Sequence, residues 1–159
     1  MQARVLWDRL VRGDAFLVPN ARMLVGGGRL LENGSVLVRK GRIEAVYEGT
    51  TNAQLSTVNA EVVEASGKTL MPGLIDVHVH TGAPGGTYAD PKDFATEHIP
   101  ERALAQYLYS GVTTVKSTGD QLAGSIALRR RIADGDLLGA ELFVSGPLFT
   151  TEGGHGTEY

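Results

Sequence analysis

Apolar and polar residues alternate over the first third of the chain, in short runs that glycines separate. Residues 16–25 predict a strand with Pro19-Asn20 as a bulge or edge feature, and Gly26-Gly27-Gly28 predict the turn that follows. Asn33-Gly34 is a strong hairpin signal, because both central residues of a type I′ turn need positive φ, and Lys40-Gly41 predicts another turn. Short strands at this spacing are typical of a β-sandwich or meander.

Strands and helices alternate in the second half of the chain. Runs rich in β-branched residues predict the first two strands, and helices are predicted between a proline or aspartate and a glycine. In chain order the predicted elements are a strand ending at His80, a helix from Pro100 to Gly111, a strand at 112–117, a helix from Asp120 to Gly135 and a strand at 141–148. This order indicates parallel βαβ units and an α/β fold.

The second of these helices carries two specific expectations. Asp120 is the expected N-cap, because its carboxylate can accept a hydrogen bond from an N–H of the first turn that has no partner within the helix. The helix is also expected to bury a single stripe of side chains. Its apolar residues divide into Leu122, Ile126 and Ala133 on that stripe, and Leu128 and Ile132 off it.

The strand at residues 74–80 carries the candidate chemistry. Side chains alternate faces along a strand, so His78 and His80 are expected to point the same way, about 7 Å apart. Two imidazoles that converge from one face can bind one divalent metal ion. A single histidine in an apolar strand is more often a core residue with a hydrogen-bond partner. Two without partners would each cost on the order of 1–3 kcal/mol to desolvate, which favours the metal.

Strict alternation also assigns the other side chains of this strand. Ile75, Val77 and Val79 are expected on the opposite face, packed against helices. Asp76 is expected on the histidine face, two residues deeper, where a buried carboxylate needs a partner. Two roles stay open for Asp76: structural pairing, or the orientation of a ligating histidine.

The segment Pro72-Gly73-Leu74-Ile75-Asp76-Val77-His78-Val79-His80 resembles the signature of the amidohydrolase superfamily. Those proteins are metal-dependent hydrolases with a (β/α)8 TIM barrel beside a small β-sandwich. The chain is most similar to their imidazolonepropionase-like, cyclic-amidohydrolase branch, from about Phe16 onward. The resemblance implies an amino-terminal portion, with a β-sandwich domain at 1–68 and the first βα units of the barrel at 69–159. It also implies that His78 and His80 bind one or two divalent ions, with zinc the expected metal.

The resemblance extends to the loop after the third strand. Gly153-Gly154-His155 resembles a loop that lines the active site, which implies that His155 orients or hydrogen-bonds the substrate. An exposed loop histidine is the alternative. The family's two further histidine ligands and its aspartate base come from later strands, so the catalytic base is expected to be absent from this chain. Lys116 receives no role, because the family's metal-bridging lysine lies on the fourth strand.

The length of the chain limits how much of a barrel it can form. A (β/α)8 barrel takes roughly 250 residues, so residues 74–159 can supply about three of its eight strands. Three strands cannot close a barrel, and their open edges would expose unpaired backbone groups. We therefore expect a longer protein, a complementing chain or a homo-oligomer that covers these edges, or else a smaller fold.

Composition narrows the class of protein further. The 159 residues are 42% hydrophobic and 21% charged, as is typical of globular proteins. A net charge of −3 gives no reason to expect a nucleic-acid partner, and Arg129-Arg130-Arg131 is expected to be a solvated helix face. The absence of cysteine fits a reducing cytoplasm, and no apolar run reaches the roughly 18 residues of a membrane span.

Three functional hypotheses remain open. The leading hypothesis is a metal-dependent amidohydrolase that cleaves a C–N bond of a small cyclic amide, imide or acyl-amino compound. A bound metal would lower the pKa of water toward about 7, and a carboxylate would move the proton. Because that carboxylate is expected to be absent from this chain, the chain alone is not expected to be active. The alternative is a non-catalytic relic or interaction protein that binds a partner through open sheet edges. The third is a small unrelated metal module that uses His78, His80 and His155.

Overall fold

A computed structural model describes residues 15–49, 59–82 and 98–154 of the protein. The chain divides into two compact units, Met1–Pro72 and Gly73–Tyr159. The described residues form eight strands and two helices, and the predicted α/β class is confirmed. Within those ranges, neither helix combines the length and apolarity that a bilayer crossing requires. The domain assignments at 1–68 and 69–159 stay predictions.

The first unit is built on one sheet. Its strands are β1 (Ala15–Leu24), β2 (Leu30–Arg39), β3 (Arg42–Glu48), β4 (Glu61–Val62) and β5 (Thr69–Leu70). The order is β3-β2-β1-β4, with β5 also paired with β1; β1, β2 and β3 are antiparallel neighbours, while β4 and β5 run parallel to β1. Pro19-Asn20 interrupts the register between β1 and β2, and Asn20 has φ 59°, so the predicted bulge is confirmed.

The hairpin predicted at Asn33-Gly34 is wrong, because β2 continues through both residues. A Cβ at Gly34 would collide with the side chain of Met23, which is buried, so glycine lets that side chain pack closely against the strand. Two consecutive positive φ angles, as a type I′ turn requires, occur instead at Lys40-Gly41. Those two residues join β2 to β3.

Apolar side chains of the first unit pack in two buried clusters. One contains Ala21, Met23, Leu31, Val36 and Ala65, and the other contains Leu17 and Leu37. All strands described between residues 15 and 72 belong to the same sheet. The second layer that a β-sandwich needs therefore stays a prediction.

The described residues of the second unit form a parallel sheet and two helices. In chain order its elements are β6 (Leu74–Val79), α1 (His98–Tyr109), β7 (Val112–Gly119), α2 (Leu122–Ala133) and β8 (Glu141–Pro147). The sheet order is β6-β7-β8, and both neighbouring pairs are parallel, as the predicted βαβ units require. The predicted order of strand, helix, strand, helix and strand is confirmed.

The helices cover one face of this sheet. Among the described residues, six form the buried core between helices and strands: Val79, Leu104, Val115, Leu128, Ala140 and Leu142. Along the strands, burial alternates with exposure: Leu142 is 1% exposed, whereas its neighbour Phe143 is 53% exposed. Lys116 is exposed too, and it pairs with Phe143 across the ladder. We call the side of the sheet that carries Lys116 and Phe143 the open face.

The stripe predicted for α2 is wrong. The buried residues of the helix are Ser125 and Leu128, and Ile132 packs partly buried against the same core. Leu122 is 48% exposed at the start of the helix. Spacings of three and four residues place Ser125, Leu128 and Ile132 on one helical face. A hydrophobic pattern misses this face because its first member is a serine.

Candidate metal centre

Gly73 sets the close entry of β6 into the sheet. A Cβ at this position would overlap the side chain of Thr113, which follows the first residue of β7. The next residue, Leu74, donates its N–H to the carbonyl of Gly111 at 3.0 Å. Glycine therefore permits the backbone approach that starts the ladder between β6 and β7.

His78 and His80 lie side by side at the end of β6. Their ring centroids are 5.5 Å apart, and the ring planes are inclined at 76°. Both residues are exposed, while Val79 between them is 4% exposed and belongs to the core under the helices. The two rings therefore lie on the open face. The alternative of a buried core histidine does not hold for either residue.

The separation of the two rings suits shared coordination of one ion. Rings that bind one zinc ion at about 2.0–2.1 Å and a tetrahedral angle have centroids roughly 5 Å apart. A catalytic zinc site commonly has three protein ligands. Within residues 15–49, 59–82 and 98–154, no group of three or more His, Cys, Asp or Glu side chains is arranged to hold a metal. The histidine pair thus fits part of a metal site, and further ligands would have to come from elsewhere.

Asp76 does not share the face of the histidines. It pairs with the buried Val115, and the ladder is irregular between Asp76 and Val79, so strict alternation fails at this point. Its Oδ1 accepts the backbone N–H of His78 at 3.1 Å. The carboxylate therefore holds the backbone of β6. The prediction that Asp76 lies on the histidine face was wrong, because one irregularity in a ladder reverses the faces expected for the residues beyond it.

The apolar face predicted for β6 is only partly buried. Val79 is in the core, but Ile75 and Val77 are each 67% exposed. Two facts account for the difference. The irregularity in the ladder breaks the alternation, and β6 is the edge strand of the three-stranded sheet.

Tyr107, on helix α1, is affected by the charges of two carboxylates of the second unit. Partial burial raises the pKa of its phenol above the usual value of 10.0, and the negative charges of Asp76 and Asp120 raise this pKa further. The side chain packs partly buried against the core of the second unit. Ionisation of this phenol would therefore oppose folding.

We expect the free energy of unfolding of Tyr107→Phe to fall less at high pH than that of the wild type. Because the folded-state pKa of Tyr107 lies above the unfolded value, its contribution is fully present below about pH 10 and is lost as pH rises through the folded pKa. Free energies of unfolding measured in urea at pH 8 and pH 11 test this. The wild type should lose more stability than Tyr107→Phe. Tyr109→Phe, at a residue that is 94% exposed, should behave as the wild type; equal losses in all three would contradict the assignment.

Asp120 binds the ends of β6 and β7 and does not cap α2. Its Oδ2 accepts the N–H and the hydroxyl of Thr81 at 2.7 and 2.6 Å and the hydroxyl of Ser117 at 2.6 Å. Its Oδ1 accepts the N–H of Gly82 at 3.3 Å. The N-cap of α2 is Gln121, which makes no side-chain capping bond. The predicted cap is therefore wrong, because the carboxylate is already occupied by the strand ends.

Other side chains tie the same ends of the strands together. The hydroxyl of Thr118 donates to the carbonyl of Val79 at 3.4 Å, and that of Ser145 donates to the carbonyl of Ser117 at 3.0 Å. Hydrogen bonds to a charged group contribute roughly 1.5–3 kcal/mol each and neutral ones roughly 0.5–1.5 kcal/mol. Several side-chain hydrogen bonds thus hold together the end of the sheet that carries His80. No prediction covered this network, and the polar residues at the strand ends, Thr81, Ser117 and Asp120, are the sequence signal that could have found it.

Comparison with known proteins covers most of the chain. No family model matches the sequence. A dihydroorotase from Bacillus thuringiensis (strain Al Hakam) is 36% identical over 81 residues, which is 51% of this chain and 18% of the dihydroorotase. Among solved structures, a Xaa-Pro dipeptidase with bound methionine has a TM-score of 0.75 at 24% identity, covering 90% of this chain and 36% of the dipeptidase.

A second solved structure decides the family. It is an amidohydrolase with a TM-score of 0.70 and 30% identity, covering 89% of this chain and 33% of that protein. The chain belongs to the amidohydrolase superfamily. Its relatives are hydrolases of the amidohydrolase type. The chain spans about a third of the length of the solved amidohydrolases, so placement in the imidazolonepropionase-like branch stays a prediction.

Lys116 and His155 were also singled out from the sequence. Lys116 is exposed on the open face, and the structure gives no reason to assign it chemistry. His155 lies outside the described residues, so its predicted contact with substrate stays a prediction. The turn just before it is described: Gly154 donates its N–H to the carbonyl of Thr151 at 2.9 Å, and Gly153 has φ 70°. Glycine at 153 permits this turn.

Proposed function

We propose that the chain is the amino-terminal portion of a metal-dependent amidohydrolase. It would hydrolyse a C–N bond of a small cyclic amide, imide or acyl-amino compound. The observation that carries the proposal is the pair of exposed imidazoles, 5.5 Å apart, at the carboxyl end of β6. Barrel enzymes place their chemistry at that end of their strands.

The residues of this chain would have separate tasks in that reaction. His78 and His80 would hold the divalent ion, zinc in the first instance, and His155 would orient the substrate. When bound, such an ion supplies Lewis-acid polarisation of the scissile carbonyl and lowers the pKa of a water. Asp76 holds the backbone of His78, so its carboxylate would support the site without entering the reaction.

The remaining parts of the site would come from additional polypeptide. We propose that the three strands of the second unit are the first strands of a (β/α)8 barrel and that the first unit belongs to a β-sandwich. The exposed Phe143 and the exposed β6 residues support this, because a closed barrel would cover them. Polypeptide after Tyr159, a complementing chain or a second copy would supply the other ligands and the general base. A cytoplasmic location stays a prediction.

The test is hydrolysis by the longest polypeptide that the gene encodes. It should be prepared with zinc and assayed with cyclic ureides, cyclic imides and N-acyl amino acids. The proposal predicts hydrolysis of at least one class, loss of activity with a chelator, and recovery when zinc is restored. Activity that survives chelation and the His78→Ala exchange would contradict the proposed mechanism.

The same preparation separates the alternatives. A polypeptide that binds no metal and hydrolyses nothing, but forms oligomers through its sheet edges, would be the interaction protein. A metal-binding chain that stays monomeric and loses its metal with His155→Ala would be the small unrelated metal module. The exposed apolar residues Ile75 and Val77 suit either a closed barrel or a partner.

A further inference from the structure

His80 lies beyond the last residue of the ladder. Strand β6 ends at Val79, the residue before His80. The next residue, Thr81, is 1% exposed, and both its N–H and its hydroxyl are bound by the carboxylate of Asp120. The side chain of Asp120 therefore binds the backbone just after the end of β6.

The clamp at Thr81 acts directly on His80. The N–H of Thr81 and the carbonyl of His80 belong to the same planar peptide unit. Fixing that plane restricts one of the two backbone torsions of His80, which aim its ring. Ser117, which is 0% exposed on the neighbouring strand β7, donates its hydroxyl to the same oxygen of Asp120. The carboxylate is thereby anchored to the middle strand of the sheet.

We propose that Asp120 is the positioning residue of the metal strand, holding the His80 ring beside the His78 ring before any ion binds. The proposal rests on the proposed function and deepens it. Groups that orient metal ligands from behind typically change metal affinity by about 10- to 100-fold when removed. Such groups usually bind the ring of the ligand, whereas Asp120 acts through the backbone that follows it.

The test compares Asp120→Ala with Asp136→Ala in the full 159-residue chain. Asp136, an exposed carboxylate that follows α2, is the matched control. Two quantities are measured: the nuclear Overhauser effect between the rings of His78 and His80 without metal, and the affinity for Zn²⁺ by competition with a chelating dye. Asp120→Ala should lose the ring-to-ring effect and bind Zn²⁺ about 10-fold or more weakly. Asp136→Ala should change neither.

Circular dichroism at the temperature of the assay separates positioning from a merely structural role. A folded Asp120→Ala chain with wild-type ring proximity and wild-type affinity would overturn the proposal, even if its melting temperature fell. If Asp120→Ala does not fold, Thr81→Val and Thr81→Ser decide. Valine replaces the hydroxyl with a methyl group, so Thr81→Val should weaken Zn²⁺ binding several-fold. Serine keeps the hydroxyl, so Thr81→Ser should bind Zn²⁺ as the wild type does. Wild-type affinity in both variants would overturn the proposal.

The outcomes also separate this inference from the proposed function. If the wild-type chain binds no Zn²⁺ through His78 and His80, the proposed function fails. The ring-to-ring effect without metal still decides whether Asp120 positions His80. If Zn²⁺ binds through both rings and Asp120→Ala leaves that binding intact, the positioning role alone fails.

Discussion

Replacing either His78 or His80 with alanine is expected to weaken Zn²⁺ binding by roughly 100-fold or more, a larger effect than typical for groups behind the ligands. The reason is geometric. The exposed rings are 5.5 Å apart on one side of the strand, so they can act as one chelating unit, and a single imidazole cannot. Isothermal titration with Zn²⁺ measures the change for each variant.

Two further histidines provide controls for this prediction. His98→Ala should bind Zn²⁺ as the wild type does, because the ion is expected at the paired rings of His78 and His80. His155→Ala should retain the affinity of the 159-residue chain if His155 contacts substrate and not metal. An unchanged affinity in both His78→Ala and His80→Ala would remove the metal centre. A loss in His155→Ala equal to theirs would favour the small metal module.

Replacing Leu142 with alanine is expected to destabilise the second unit by about 2–5 kcal/mol. Leu142 is 1% exposed and lies in the core that the helices cover. Its neighbour Phe143 is 53% exposed on the open face, so Phe143→Ala should change the free energy of unfolding far less, by about 0.5 kcal/mol. Urea unfolding of the 159-residue chain measures both.

Leu142 and Phe143 also test whether additional polypeptide covers the open face. If additional polypeptide closes a barrel over the open face, Phe143 becomes buried there, and its exchange should then cost about 3–5 kcal/mol. A small cost for Phe143→Ala in the longest polypeptide would argue against closure over this face. A small cost for Leu142→Ala in the 159-residue chain would contradict the assignment of the covered face.

Sequence periodicity was sufficient for the order of elements in the second unit. A β-branched run marked β7, and Gly111, whose φ is 86°, marked the end of α1. These signals are local, because they depend on backbone conformations that few residue types adopt. The turn at Lys40-Gly41 was found for the same reason.

Packing decided the features that periodicity missed. Asn33-Gly34 favours a turn in isolation, but the buried side chain of Met23 needs the space that Gly34 leaves, and the strand continues. Asp120 is a good N-cap by residue type, yet Thr81 and Ser117 offer it three hydrogen bonds of 2.6–2.7 Å. Local preference gives way where tertiary contacts are stronger.

The candidate site was predictable only in part. Spacing alone placed His78 and His80 on one face, and their rings do lie together. The side of Asp76 was not predictable, because the irregularity between β6 and β7 leaves no mark in the residue types. The further metal ligands and the general base were expected from later strands, and their source stays a proposal.

The central claim is that one ion binds through both imidazoles of the metal strand, and ring nitrogen chemical shifts of the ¹⁵N-labelled chain test it most directly. Zn²⁺ is added in steps to one equivalent while the ring resonances of His78 and His80 are followed. We predict that a nitrogen of each ring shifts together and that both saturate at the same Zn²⁺ concentration. Shifts confined to one ring, or to His98 or His155 alone, would contradict the claim.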